Sequence, residues 1–262
     1  MSKFFINPDA VDTENNCIVI TGEDVRHIKN VLRSKQGDIL SLSDGSGREY
    51  ETIIEKLDKE SILVRIKNTD MNKTEPPLYI TLFQGIPKGD KMEYIIQKCV
   101  EVGVSRFVPV LTGRTVVKLD SKKDSAAKTA RWRRIALEAA KQCDRGIIPV
   151  VEEPVGMDDA LKLSETCGLK IIPYEEETEG SLRKCLESWK QKHLNEKGDL
   201  PQAFNEKSIA VFIGPEGGFE PGEVDKAAGH GFVPVTLGPR ILRTETAGLV
   251  VSSIIMYELG DI

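Results

Sequence analysis

The chain has 262 residues, 40% hydrophobic and 29% charged, with a net charge of −5, the composition of a globular protein long enough for one large domain or two ordinary ones. No apolar run approaches the ~20 residues of a membrane span, and the start, MSKFFINPDA, lacks the apolar core of a secretory signal, so a cytoplasmic protein with no membrane role is expected. Five cysteines (Cys17, Cys99, Cys143, Cys167 and Cys185) are widely spaced without a CxxC pair, and the three histidines are scattered, which predicts reduced thiols and no metal site.

Residues 1–70 read as a small β-rich module. NCIVIT, DILSLSDG, REYETIIEKL and SILVRIKN are short β-branched runs broken by turn residues such as Asp44-Gly45. Between the first two, Val25, Ile28, Val31 and Leu32 fall at helical spacing, with Gly37 as the expected stop. One short helix inserted among strands predicts a small barrel. Arg26, His27, Lys29, Arg33 and Lys35 make a local basic patch on its helix, either a solvated face or an RNA contact.

MNKTEPP, with two prolines and no apolar periodicity, marks the boundary between a domain at 1–72 and one at 73–262. The second domain opens with the buried-type strand LYITLFQGIPK. A helix follows, capped by Asp90 and striped by Met92, Ile95, Ile96, Cys99, Val100 and Val104, and SRFVPVLT is the next strand. Strand–helix–strand alternation points to a parallel α/β sheet. Residues 84–145 carry 14 basic and 7 acidic side chains, whereas residues 146–262 carry 11 basic and 20 acidic, so the acidic total conceals a basic segment suited to a polyanion. Within it, a helix from Ser125 sets Trp132, Ile135, Ala136, Ala139 and Cys143 on one stripe. Arg131, Arg133, Arg134, Lys141 and Arg145 fall largely off that stripe, facing phosphates or water. Trp132 reads as a core anchor.

Residues 146–208 hold further short αβ signals: VVEEPV, a helix around Met157–Lys162, LKIIPYEEE and a helix at Leu182–His193. A polar loop at 193–208 closes the segment. The segment reads as scaffold, and the acidic run Glu175–Glu179 as a solvated loop. Ile209–Ile213 and Val233–Leu237 are then two buried-type runs, each ending in Gly-Pro, at Gly214-Pro215 and Gly238-Pro239. They read as neighbouring parallel strands whose loops meet where open α/β sheets bind ligands. GPEGGF is neither a P-loop nor the GxGxxG fingerprint. Gly214, Gly217 and Gly218 leave backbone groups accessible, Pro215 and Pro239 stiffen the loop starts, and Thr244 is a fair N-cap with Glu245 in the first turn.

LGPRILRTETA, with IGPEGG upstream, KGDKMEYIIQKCVEVGV, HIKNVLR, TGRTVVKLDS and EAAKQCDR, resembles the RsmE family of 16S ribosomal RNA uridine-N3 methyltransferases, of the SPOUT superfamily, across essentially the whole chain. The resemblance implies an α/β fold: a SPOUT-type parallel sheet with a C-terminal trefoil knot, preceded by a PUA-like RNA-binding β-barrel. It implies S-adenosylmethionine (SAM) as cofactor, held by Gly214, Glu216, Gly217, Leu237, Gly238, Ile241, Leu242, Thr244 and Ala247. It also implies a homodimer built on the C-terminal helix, with 16S rRNA of the 30S subunit, near its 3′ end in the decoding region, as substrate.

Uracil N3 carries a proton, so its methylation needs a proton acceptor or a cation that stabilises the developing negative charge. Arg114, Arg240 and Arg243 are the candidate cations, and Glu216 and Glu245 the candidate bases; the glutamates also read as helix caps or loop braces, and Arg240 and Arg243 as loop braces. Since N3 lies on the base-pairing edge, the uridine must be unpaired or extruded. Arg26, Arg33, Lys88, Lys91, Arg131 and Arg134 are the expected RNA contacts. The rival readings are a SPOUT enzyme acting on transfer RNA and a non-catalytic ribosome-assembly factor.

Overall fold

The computed structural model describes residues 3–117, 121–193, 200–201 and 203–262; parts of TGRTVVKLDS and of the polar loop at 193–208 lie outside them. The chain divides into two compact units, Met1–Glu75 with Ala140–Ile148, and Pro76–Ala139 with Pro149–Ile262.

In the first unit, β1 (Lys3–Phe5), β2 (Val11–Asp12), β3 (Cys17–Thr21), β4 (Ile39–Ser43), β5 (Arg48–Leu57) and β6 (Ser61–Met71) form one sheet of order β1-β4-β5-β6-β3-β2. Only β1–β4 is parallel. Alternate residues of the strands, among them Leu40 and Leu42 or Ile62, Val64 and Ile66, bury one face. Phe4 on β1 and Ile18 on β3, near opposite ends of the strand order, belong to the same apolar core, so the sheet is curled. Register shifts at Glu51/Thr52 and Ile54/Lys56 aid that bending.

The predicted helix between β3 and β4 is shorter than its periodicity implied. Helix α1 (Glu23–Arg26) passes into a π-helical turn, His27–Val31, and the chain leaves at Arg33 with φ +54°, ahead of Gly37. Val25 and Ile28 reach the core, whereas Val31 is 66% and Leu32 39% exposed. The wider π turn rotates the later residues off the apolar face.

Arg145, expected to face solvent or phosphate, is buried instead. The helix carrying it ends at Gln142, and Asp144, at φ +65°, turns the chain inward. Arg145 Nη2 lies 2.9 Å from Glu75 Oε2, while Glu75 Oε1 accepts the amides of Gly146 and Ile147, both at 2.9 Å. Lys3, also buried, pairs with Glu49 at 2.5 Å and Asp144 at 2.9 Å.

The second unit is built on a fully parallel sheet. Its elements are β7 (Tyr79–Gly85), α2 (Lys91–Glu101), β8 (Arg106–Leu111), α3 (Lys122–Gln142), β9 (Val150–Val151), β10 (Val155–Gly156), α4 (Met157–Leu163), β11 (Leu169–Pro173), α5 (Leu182–His193), β12 (Ser208–Ile213), α6 (Pro221–Gly229), β13 (Val233–Val235) and α7 (Thr244–Leu259). The strand order is β10-β8-β7-β12-β11-β13, with β9 also on β8. Every residue of β12 is buried, as expected of a central strand covered on both faces. One face packs Phe83, Phe212 and Phe232 against α4 and α6 residues such as Leu161 and Val224. The other carries α7, whose buried face runs Thr244, Ala247, Gly248, Val251, Ser252, Ile255, Met256 and Leu259.

Three expectations change here. β12 and β13 are not neighbours, because β11 lies between them. Asp90 stands at the N-cap of α2 without a capping side-chain bond; its carbonyl accepts the Glu93 amide at 3.0 Å instead. Helix α3 starts at Lys122, before Ser125, because Ser121 Oγ accepts the Asp124 amide at 3.1 Å; its Trp132 is 5% exposed, in the core as expected. Among the described residues no helix is long and apolar enough to cross a membrane.

Replacing Glu75 with Ala leaves the Arg145 guanidinium buried without its carboxylate, and is expected to cost about 3–5 kcal/mol in urea unfolding. Joint Glu75→Met and Arg145→Met replacement is expected to cost less.

Candidate functional site

The C-terminal ends of β11 and β12 and the segment after β13 surround a cavity of about 820 Å³. Its walls come from three chain segments: Pro173–Thr178, Ile213–Phe219 and Thr236–Ala247, with Lys91 of α2. A volume in this range suits a small organic ligand or cofactor.

The wall from β12 is the turn Gly214–Phe219. Gly218 donates its amide to the Pro215 carbonyl at 3.0 Å and holds φ +67°. The positive φ favours glycine there, and a β-carbon would also displace the Glu175 carboxylate that lies over the turn. At Gly85, the end of β7, a β-carbon would stand 2.6 Å from Pro215 N, so this glycine lets the two strand ends close together. Arg114 Nη1 donates to the Gly217 carbonyl at 2.8 Å.

Thr244 ties the walls together. Contrary to the expectation from sequence, it does not cap α7; Arg243 occupies the N-cap position, without a side-chain bond. Buried at the first helical position, Thr244 accepts from Gln84 Nε2 at 2.9 Å and donates to the Gly214 carbonyl at 2.6 Å. Gln84, fully buried on β7, gives its other amide hydrogen to Gly85 O at 3.0 Å. Since Nε2 can only donate, the hydroxyl proton must go to Gly214. One side chain thereby joins β7, the β12 turn and α7.

Lys91 organises the charges. Its Nζ lies 2.8 Å from Glu216 Oε1 and 3.6 Å from Glu245 Oε2, while the Lys88 amide donates to Glu216 at 3.1 Å. Burial raises the Glu216 carboxyl, but the hydrogen bond from Lys91 and those from backbone amides outweigh it and hold the group below its usual value. The hydrogen bond to Glu216 in turn raises the Lys91 ammonium. Glu245 Oε2 is buried without a hydrogen bond, and Arg243 Nη1 stands 3.9 Å from Oε1.

All nine residues expected around a cofactor, Gly214, Glu216, Gly217, Leu237, Gly238, Ile241, Leu242, Thr244 and Ala247, line this one cavity. Arg240, Arg243 and Glu245 line it too, whereas Arg114 reaches it only through the Gly217 carbonyl. Ile241 is 87% exposed, an unpacked apolar group on the cavity wall. Of the expected RNA contacts, Lys91 lines the cavity and Lys88 neighbours it through Glu216. Arg131 is exposed but forked onto Glu93 at 2.8 Å, Arg134 is exposed on α3, and Arg26 and Arg33 are exposed in the first unit.

The sequence reading missed the segment after β11. Pro173, Tyr174, Glu175, Glu177 and Thr178 line the cavity although 146–208 had been read as scaffold. Their signal was present: LKIIP is a third buried run ending in proline, and loops at C-terminal ends gather on one edge of a parallel sheet. Glu177 accepts the amides of Glu179 and Gly180 at 2.7 and 2.8 Å, bonds that lower its carboxyl and shape the turn.

Residues 74–256 match the RNA methyltransferase domain family, and residues 20–67 match the RNA methyltransferase PUA domain family. The chain is 34% identical to ribosomal RNA small subunit methyltransferase E of Bacillus subtilis, over 98% of this chain and 97% of that protein. Among solved structures, ribosomal RNA small subunit methyltransferase E of Neisseria gonorrhoeae bound to S-adenosyl methionine superposes with a TM-score of 0.82 at 30% identity, over 100% and 99% of the two chains. A putative methyltransferase of Legionella pneumophila, solved with its cofactor SAM, does so with a TM-score of 0.80 at 32% identity, over 100% and 98%.

Thr244→Val leaves the Gln84 amide hydrogen and the Gly214 carbonyl without their partner, at an expected loss of about 1–3 kcal/mol in thermal or urea unfolding. Thr244→Ser keeps the hydroxyl and is expected to stay close to the unaltered protein.

Proposed function

Because this chain belongs to the ribosomal RNA small subunit methyltransferase E family, we propose that it transfers a methyl group from SAM to N3 of a uridine in 16S rRNA, within the 30S subunit and in the cytoplasm. The observation that carries this reading is the single cavity on which the two Gly-Pro loops and the first turn of α7 converge.

The cavity fits SAM in kind. It offers glycine backbone groups, an exposed apolar side chain in Ile241, and ionised groups in Lys91, Glu216 and Glu245. SAM, when bound, supplies the electrophilic methyl group. The residues that would hold it are Gly214, Glu216, Gly217, Leu237, Gly238, Ile241, Leu242, Thr244 and Ala247. The protein's part is to exclude water, orient the base for in-line approach, and take up the N3 proton.

Of the two candidate acceptors, Glu245 suits the task better. Glu216 is spent on Lys91 and the Lys88 amide, and its lowered pKa makes it a weak base. Glu245 keeps a buried oxygen without a hydrogen bond on the cavity wall, 3.6 Å from Lys91 Nζ. Arg240 and Arg243, exposed at the same wall, are placed to meet phosphate or the uracil oxygens, and Arg114 braces the Gly217 carbonyl.

The fold reading extends to a SPOUT trefoil knot, with residues 1–72 as a PUA-like barrel and residues 73–262 as the methyltransferase domain. The chain path supports the knot: from β13 at the sheet edge, residues 236–243 return to the centre, where Thr244 bonds the β12 turn. A homodimer on α7 is supported by Ile254 and Tyr257, 37% and 71% exposed on its outer side. For RNA, Arg26 and Arg33 in one domain and Lys88, Lys91, Arg131 and Arg134 in the other supply the cations.

Incubation with SAM carrying a labelled methyl group, followed by nuclease digestion and mass spectrometry, should place N3-methyluridine in 16S rRNA of 30S subunits lacking the mark. Label in transfer RNA, or in neither, overturns the assignment. Glu245→Gln is expected to lower kcat by about 100-fold or more with SAM affinity retained, whereas Glu216→Gln should mainly weaken SAM binding. Unchanged kcat in Glu245→Gln removes it as the base.

A further inference from the structure

The cavity is lined by four carboxylates, and three have hydrogen-bond or ion-pair partners in the protein. Glu216 is clamped by Lys91 and the Lys88 amide, Glu245 lies between Lys91 and Arg243, and Glu177 is bound to the amides of Glu179 and Gly180. Glu175 differs. No hydrogen bond or ion pair among the described residues engages it, although it lines the same cavity. It leaves β11 two residues past the strand end and lies across the β12 turn, where its Oε1 takes the space a side chain on Gly218 would need. The carboxylate is thus laid over the Gly218 turn from the neighbouring strand.

Glu175 is exposed at the cavity wall, and a ligand that fills the cavity displaces part of the water around its carboxylate. An ionised group losing its water is costly unless a cation replaces it, and a neutral hydroxyl would leave the charge uncompensated. Lys91 is already shared by two other glutamates, and Arg114 is bonded to the Gly217 carbonyl. Among the described residues no cation pairs with Glu175, which leaves that place to a cationic group of the ligand. On the reading of this cavity as a SAM site, on which the following rests, the ligand carries two such charges, a sulfonium and an ammonium, and the demethylated product has lost the first.

We infer that Glu175 is a donor-binding residue of this cavity that pairs with a cationic group of SAM, so that charge as well as shape selects the methyl donor. The assignment concerns binding, not the chemical step, and it gives a function to a residue whose acidic neighbours would otherwise mark it as part of a solvated loop.

Calorimetric titration of the full chain and of Glu175→Gln with SAM, S-adenosylhomocysteine and 5′-methylthioadenosine tests it. The last compound keeps the adenosine and the sulfur but has neither cationic group. Glu175→Gln is expected to weaken SAM by about 10-fold or more while leaving 5′-methylthioadenosine within about twofold, and Glu175→Asp should restore part of the loss. A loss confined to SAM assigns the sulfonium, and an equal loss for S-adenosylhomocysteine assigns the ammonium; both support the inference. Equal SAM affinity in the two proteins, or a parallel loss for 5′-methylthioadenosine, overturns it. If the unaltered protein binds none of the three, the SAM reading of the cavity fails, and the role of Glu175 with it.

Discussion

The Thr244 hydroxyl is the constraint on which the candidate site rests. It uses its acceptor side on Gln84 and its proton on Gly214, and thereby fixes three strangers in sequence, the end of β7, the turn after β12 and the start of α7. Gln84 is fully buried and Gly214 half-buried, which makes the bonds modest in net gain but expensive to lose. Gly85 allows the close approach that this geometry needs, since Pro215 occupies the place of a side chain there.

Charge is distributed over this frame with a division of labour. Lys91 serves two carboxylates from different segments and so gathers the β12 turn and α7 toward α2. Glu177 spends itself on backbone amides and shapes the third wall. Among the described residues, the Glu175 carboxylate has no hydrogen bond or ion pair and Glu245 Oε2 has no hydrogen bond, which leaves these groups open to a ligand or a proton. A lining of mixed sign suits a ligand that is cationic at one end and must meet a polyanion at the other. The first unit uses buried charge differently: Lys3 and Arg145 hold the 140–148 segment against its own strands and leave nothing free for chemistry.

Much of the fold was legible from the sequence because its signals are local. Buried β-branched runs announced the strands, the apolar stripe around Ile95 and Val100 announced α2, and Trp132 lay in the core as its stripe required. The misreadings share a cause. A 3.6-residue period assumed for 25–32 broke at the π turn, where one wider loop of backbone carried Val31 and Leu32 outward. Arg145 seemed a surface cation because helical spacing was carried past the real helix end, after which Asp144 turned it inward. Asp90 and Thr244 had the composition of caps, but the nearest partners in space drew their groups elsewhere.

What the sequence by itself determined was the set of elements, the two stiffened glycine loops and the family motif spanning them, because each is written in consecutive residues. Only the tertiary structure decided how those loops meet. Strand order is a non-local property, and the insertion of β11 between β12 and β13 brings Tyr174, Glu175 and Glu177 into a wall that no spacing in the chain implied. The same holds for the commitment of each carboxylate: whether a glutamate braces a loop or stays open to a ligand depends on which donors lie within about 3 Å of it, and those donors come from segments far apart in the sequence.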